Sequence, residues 1–248
     1  MRSDHDPSAV RRGLLRGAGA YLGQGLLSSL AWLPSRHRPV RARDIHTLVF
    51  VHGLAGNRAN FYPLQTWLAW QGFDRQYSYN YKSAGSIEGL GVELGRRLDR
   101  DIKGGRITIV AHSMGGLVSR VYLQMLGGER RVDTLITLCT PHQGSHAAAW
   151  LPTALVSQLE PEGPFLEHLN ALPAPERTRV VAFAASEDKL VLPPRYAFPA
   201  FGEHRMLEGR GHLDVLFSRD MYRQVREVLA EQEVAVRRTQ DFEARRTG

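Results

Sequence analysis

A chain of 248 residues, 43% hydrophobic and 23% charged, is sized for one globular domain that can bury a core unaided, which excludes disordered and collagen-like classes. Its formal charge of +7 is local: residues 1–43 hold eight Arg against two Asp, a net +6, while the other 205 residues hold 24 basic and 23 acidic side chains, a net +1. The body is therefore near neutral and carries no nucleic-acid footprint, and the single Cys139 excludes a disulfide framework and a Cys-cluster zinc site.

The basic segment 1–43 comes first, ahead of a domain expected over 44–233 and a charged tail over 234–248. Its uncharged stretch, 17–35, is too polar and Gly-rich for a membrane-spanning helix. Arg11-Arg12-Gly13-Leu14-Leu15-Arg16 resembles a twin-arginine export signal, and Ser29-Leu30-Ala31 offers a small-x-small cleavage pattern. Arg16 breaks the apolar run, and Asp4 and Asp6 precede it, which favours the cytoplasm over export. The expectation is a helix that packs on the domain or, through residues 10–33, touches a membrane or lipid surface.

From residue 45 onward two patterns alternate. β-Branched and aromatic runs predict strands at Thr47–Val51, Gln76–Tyr79, Ile107–Ala111, Leu135–Leu138 and Val180–Ala184, with a weaker one at Arg205–Leu207. Helical spacing lies between them at Phe61–Trp70, Ile87–Ile102, Met114–Leu126 and Val215–Leu229. Continuous apolar strands separated by helices predict a doubly wound α/β fold: a mainly parallel six-stranded sheet flanked by helices. Residues 141–178 break the alternation and predict a small helical cap, one or two short helices overhanging the sheet's carboxyl edge.

The first strand ends in His52-Gly53-Leu54-Ala55-Gly56-Asn57. A glycine there lets the backbone turn so that the Leu54 N–H points into the cleft above the strand ends. The third predicted strand runs into Ala111-His112-Ser113-Met114-Gly115-Gly116. In a sharp strand-to-helix turn the Ser is strained, and only small residues fit two positions before and after it. Ser113 is the candidate nucleophile, although a helix N-cap serine has the same surroundings. The Met114 and Leu54 amides would together hold an oxyanion.

In such a turn-based site an acid and then a histidine follow the Ser in the chain. Asp188 stands just past the fifth strand, with Glu187 its competitor; the shorter acid and the apolar hook Leu190-Val191 favour Asp188. Asp133 precedes its strand and belongs at the opposite sheet edge, and Asp214 is read as the N-cap of the last helix. His212, in Gly209-Arg210-Gly211-His212-Leu213-Asp214, follows the last short strand and is the candidate base; His142 and His146 are its rivals. His52 and His112 lie inside the strand-end motifs and read as supporting residues. No metal-ligand spacing and no phosphate-loop or dinucleotide motif is present, so no metal and no cofactor is expected. His212 would take the Ser113 proton as the hydroxyl attacks a carbonyl, Asp188 would fix the imidazole tautomer, and water would release the acyl-enzyme.

These residues resemble the α/β-hydrolase superfamily, and within it the bacterial serine lipases and esterases, over about residues 45–230. Val51-His-Gly-Leu-Ala-Gly56 looks like the oxyanion motif, and Ala111-His-Ser-Met-Gly-Gly116 is similar to the Ala-first elbow of small Bacillus-type lipases. Leu138-Cys-Thr-Pro-His-Gln-Gly-Ser145 resembles the Gly-Thr-Pro-His-x-Gly-Ser string of lipases, with Cys139 where Gly is usual. The resemblance implies a triad of Ser113, Asp188 and His212, oxyanion donors at Leu54 and Met114, and a small-molecule or lipid ester as substrate. Trp150, Leu155 and Leu159 of the insertion would meet an acyl chain if they face the cleft; equally, they could pack the insertion onto the sheet. An acyltransferase or thioesterase would use the same triad, and a non-catalytic interaction module would carry a broken one.

Overall fold

Why the apolar runs become a sheet is visible in their alternation. Leu48 and Phe50 face one side and Val49 and Val51 the other, and both sides are buried. A strand covered on both faces needs helices on both faces, which parallel crossovers supply. The computed structural model describes residues 46–150 and 153–232, without the Trp150 side chain. The basic segment 1–43, the stretch 10–33 within it and the tail 234–248 lie outside the described residues.

Six strands, β1 (His46–Val51), β2 (Gln76–Tyr79), β3 (Arg106–His112), β4 (Val132–Leu138), β5 (Arg179–Ala185) and β6 (Glu203–Leu207), form one all-parallel sheet in the order β2-β1-β3-β4-β5-β6. The doubly wound sheet predicted above is therefore present, and each strand falls within three residues of its expected ends. The winding reverses between β1 and β3, where Val51 pairs with Ala111. Ligands in open α/β sheets bind at such a switch point, beyond the strands' carboxyl ends.

Helices α1 (Tyr62–Trp70), α2 (Ile87–Asp101), α3 (Met114–Arg120), α4 (Pro164–Ala171) and α5 (219–232) cover the sheet. Ile87, Leu90, Leu94 and Leu98 of α2 join Leu117 and Val118 of α3 on one face. Leu64 and Leu68 of α1 join Met221, Val225 and Leu229 of α5 on the other.

Two helices depart from expectation. The run predicted over 114–126 is α-helical to Arg120 and then widens into a π turn, Val121–Met125. The run predicted from Val215 is a 3-10 turn, Asp214–Phe217, followed by α5. Asp214 therefore does not cap the last helix; its carboxylate accepts from the Gly211 N–H, and the Ser218 hydroxyl oxygen accepts from the Met221 N–H (3.3 Å) at the start of α5. Asp133 lies inside β4, near its first residue, and pairs with Arg106.

The insertion 141–178 holds 3-10 turns at His146–Trp150 and Ser157–Leu159 and then α4. Leu155, Val156, Leu159, Phe165, Leu166 and Leu169 are buried in the same cluster as α2 and α3. Polar ties fix the segment near its start and at its middle. The Gln158 amide donates to Glu88 (2.7 Å) and accepts from the Ile87 N–H (2.8 Å), while the Ser145 hydroxyl donates to Leu190 O (2.8 Å) and accepts from the Leu192 N–H (2.9 Å).

Candidate active site

Ser113 follows β3 directly and adopts φ 54°, ψ −133°, a left-handed conformation that a side chain pays strain to occupy. Its neighbours hold it there. The Ser113 N–H donates to Leu138 O (2.8 Å), and Ser113 O accepts from the Thr140 hydroxyl (2.8 Å) and the Gly116 N–H (3.0 Å). The turn demands bare glycines: a Cβ on Gly115 would stand 2.4 Å from His52 O, and one on Gly53 would stand 2.7 Å from Ser113 Cβ. The loop after β1 thus lies directly against the Ser113 side chain.

That loop is built from side-chain bonds to its own backbone. His52 stacks on Tyr81 with 4.1 Å between ring centroids. Its Nε2 accepts from the Tyr81 N–H (3.2 Å), so Nδ1 carries the proton and donates to Gly53 O (2.9 Å), and the Tyr81 hydroxyl donates to His52 O (2.6 Å). Burial holds His52 neutral, its pKa down at about 4. Asn57 and Asn60 close a reciprocal capping box: the Asn57 carbonyl oxygen accepts from the Ala59 N–H, and the Asn60 oxygen from the Asn57 N–H. Between these anchors Leu54 packs on the α2 side of the core, and Met114, the first residue of α3, is fully buried.

His212 and Asp188 meet across the ends of β5 and β6. The His212 Nδ1–H donates to Asp188 Oδ2 at 2.8 Å, and the two residues are 7% and 2% exposed. Asp188 Oδ1 accepts from the Leu190 N–H (2.7 Å) and the Val191 N–H (2.8 Å). Burial alone would raise the Asp188 pKa, but His212 and the two amides reverse it and leave the carboxyl below its ordinary value. The His112 Nε2–H donates to His212 O (2.9 Å), with the rings 4.8 Å apart. His112 adjoins Ser113 in sequence and therefore ties the Ser113 turn to the His212 loop. Burial first, then His212, push its pKa down to about 3, so it stays neutral.

The competitors lie elsewhere. Glu187 is exposed, with its N–H on Arg210 O. His142 is buried between the Thr137 hydroxyl (3.0 Å) and the Arg120 guanidinium (3.4 Å), and His146 lies exposed against Tyr196. Leu155 and Leu159 belong to the packed core layer, and the Trp150 side chain lies outside the described residues.

Three supporting residues went unread in the sequence: Tyr81, Arg120 and, for its contact with Asp188, Cys139. Tyr81 extends an i, i+2 series of tyrosines, 77, 79 and 81, past the end of β2, which is the signal that could have found it. Cys139 is buried, and its Sγ lies within 4.8 Å of ligand atoms of Asp188 and His212. Burial, and then the Asp188 charge, keep it a protonated thiol. Among the described residues this trio could approach a metal ion, but His212 and Asp188 are engaged with each other.

Comparison with known proteins fits this fold. Residues 97–161, which include the Ser113 turn, match the family described as PGAP1-like alpha/beta domain. The mature form of the Bacillus licheniformis lipase BlEst2 superposes with a TM-score of 0.63 at 19% identity, over 73% of this chain and 91% of that one. Aspergillus fumigatus lipase B gives 0.57 at 12% identity over 74% and 52%, and Bacillus subtilis carboxylesterase CesB gives 0.54 at 15% over 86% and 97%. What they share with this chain is the α/β-hydrolase fold.

Proposed function

We propose that this protein is a serine hydrolase of carboxylic esters, with Ser113 as nucleophile, His212 as base and Asp188 as its partner. The observation that carries the reading is the buried 2.8 Å His212–Asp188 bond, tied through the His112–His212 hydrogen bond to a serine held at positive φ on the switch point of the sheet. His212 Nε2 receives the Ser113 proton as the hydroxyl attacks the ester carbonyl. Asp188 keeps the proton on Nδ1 and stabilises the imidazolium. The Leu54 and Met114 amides hold the oxyanion; neither requires a polar side chain. Collapse expels the alcohol with the proton from His212, and water repeats the cycle on the acyl-enzyme.

A series of p-nitrophenyl esters from acetate to palmitate tests the reading. Ser113→Ala should abolish turnover on every member while circular dichroism stays unchanged. Turnover at the wild-type rate in that variant would remove Ser113 from the chemistry.

A further inference from the structure

A cleft opens at the carboxyl edge of the sheet, on the β2 side of the switch point. It has a volume of about 700 Å³. One wall is Asn57, from the loop that carries Leu54; the opposite wall is the chain after β2, Asn80, Tyr81, Lys82 and Ala84. Leu90, Glu93 and Arg97, on one face of α2, form the third wall.

The cleft is fixed rather than pliable. Ala55 N–H donates to the Ser83 hydroxyl (3.2 Å), so its two loops are tied together. The Arg97 guanidinium donates to Asn80 O (3.0 Å), lies 5.3 Å from the Tyr79 ring centroid and pairs with Glu93. The buried rings of Tyr81 and His52 connect it to Gly53, which touches Ser113. Its charges are two cations and one anion, and the anion is spent on Arg97. Lys82, exposed on the rim, supplies the surplus positive charge.

We propose that this cleft binds the anionic polar head of the substrate, a phosphate or phosphodiester group attached to the alcohol side of the ester. Leu90 and Tyr81 would take the glycerol-like carbon stem, the Asn57 and Asn80 amides its oxygens, and Lys82 with Arg97 the phosphate. This rests on the hydrolase reading and adds to it the class of ester.

Two water-soluble esters with identical acyl chains separate the contributions: dibutyroyl glycerol, which is neutral, and dibutyroyl glycerol 3-phosphate. The readout is the ratio of kcat/KM, anionic over neutral. Lys82→Glu should lower that ratio about tenfold, mostly through KM, and Glu93→Gln should raise it, since the two variants change the cleft's charge in opposite senses. Both effects should shrink at 1 M salt. A ratio that stays flat in both variants, or moves the same way in both, overturns the proposal.

Direct titration of glycerol 3-phosphate and of inorganic phosphate into the Ser113→Ala protein reads the cleft without turnover. Tighter binding of glycerol 3-phosphate than of phosphate, weakened by Lys82→Glu, assigns the stem as well as the charge. Equal binding of both would overturn the stem's part. If the wild type cleaves neither ester while this binding persists, it is the hydrolase reading that fails. If esters are cleaved but neither the binding nor the ratio responds to Lys82 and Glu93, the cleft assignment fails alone.

Discussion

Asp188 has a use for both carboxylate oxygens. Oδ1 takes two backbone amides and Oδ2 takes the His212 imidazole, so the group is oriented before any substrate arrives. Asn at this position would turn an NH₂ toward groups that themselves donate. Under the proposed mechanism Asp188→Asn should therefore lower kcat by about 10⁴, chiefly by favouring the wrong imidazole tautomer. Glu187→Gln, at an exposed side chain, should change stability by no more than about 0.5 kcal/mol and leave kcat near wild type. Steady-state kinetics with a single ester ranks the two, and the reverse order would move the acid. The sequence pointed to Asp188 through the hook Leu190-Val191, but for an incomplete reason. The hook acts through its backbone amides; Val191 is buried, yet the Leu190 side chain is 44% exposed. Side-chain pattern exposes burial, whereas amide direction depends on how the loop closes.

Arg120, in the last position of α3, fixes one element to another. It is 1% exposed and donates to the Asn170 oxygen (2.8 Å), Leu169 O (3.1 Å) and the Gln124 oxygen (2.8 Å), with its guanidinium 5.2 Å from the Phe201 ring centroid. Burial brings its pKa down to about 10, so the charge persists at neutral pH, held by neutral acceptors that belong largely to α4. Arg120→Met would fill the space but leave Asn170 and Leu169 O without their donor. The expected cost is about 2–4 kcal/mol in urea unfolding, with faster hydrogen exchange across α4 than across β3. Uniformly faster exchange would mean that Arg120 supports the whole core and not the insertion. In the sequence this residue is one arginine in an arginine-rich chain, and composition hides it. The π turn that follows is hidden for a related reason: apolar spacing over 114–126 satisfies a helix, and a π turn whose Val121, Tyr122 and Leu123 are buried in the same cluster as α2 leaves the same apolar pattern. The central strands were legible to within three residues because a strand buried on both faces needs an unbroken apolar run, whereas β6, exposed over most of its length, carries a weaker signal.

Across the whole molecule the charge balance responds to acid through buried histidines. His52 and His112 have pKa values pushed down to about 4 and about 3, and His142 lies well below its ordinary value, each chiefly because burial disfavours the cation. Unfolding returns each to about 6.5. Below pH 6.5 the unfolded chain therefore binds protons that the folded one refuses, and stability falls as pH falls. Each histidine contributes a slope of about 1.4 kcal/mol per pH unit until its folded pKa is reached. Asp188, held low in the folded state, adds loss in the same direction only at more acidic pH, as the unfolded carboxyl takes its proton first. Calorimetry at pH 8, 6 and 5 should give a nearly flat Tm above pH 7 and a steep drop below pH 6, with an uptake of about three protons on unfolding at pH 5. A flat Tm down to pH 5 would mean that these imidazoles are protonated in the folded state.

The edge strand has a consequence in time. β6 pairs with β5 alone, its Glu203 is clasped by Arg179 (2.6 Å), and Arg179 also reaches Glu231 of α5 (2.7 Å). His212 enters five residues after this strand, whereas Ser113 stands near the middle of the chain. Synthesis proceeds from the amino end, so under the proposed mechanism the Ser113 turn can form on the ribosome long before its base, His212, exists. A half-made chain would then carry an inert serine. Reactivity would arrive only when the outermost strand zips onto a finished sheet, which is the slow, non-local step of a parallel fold.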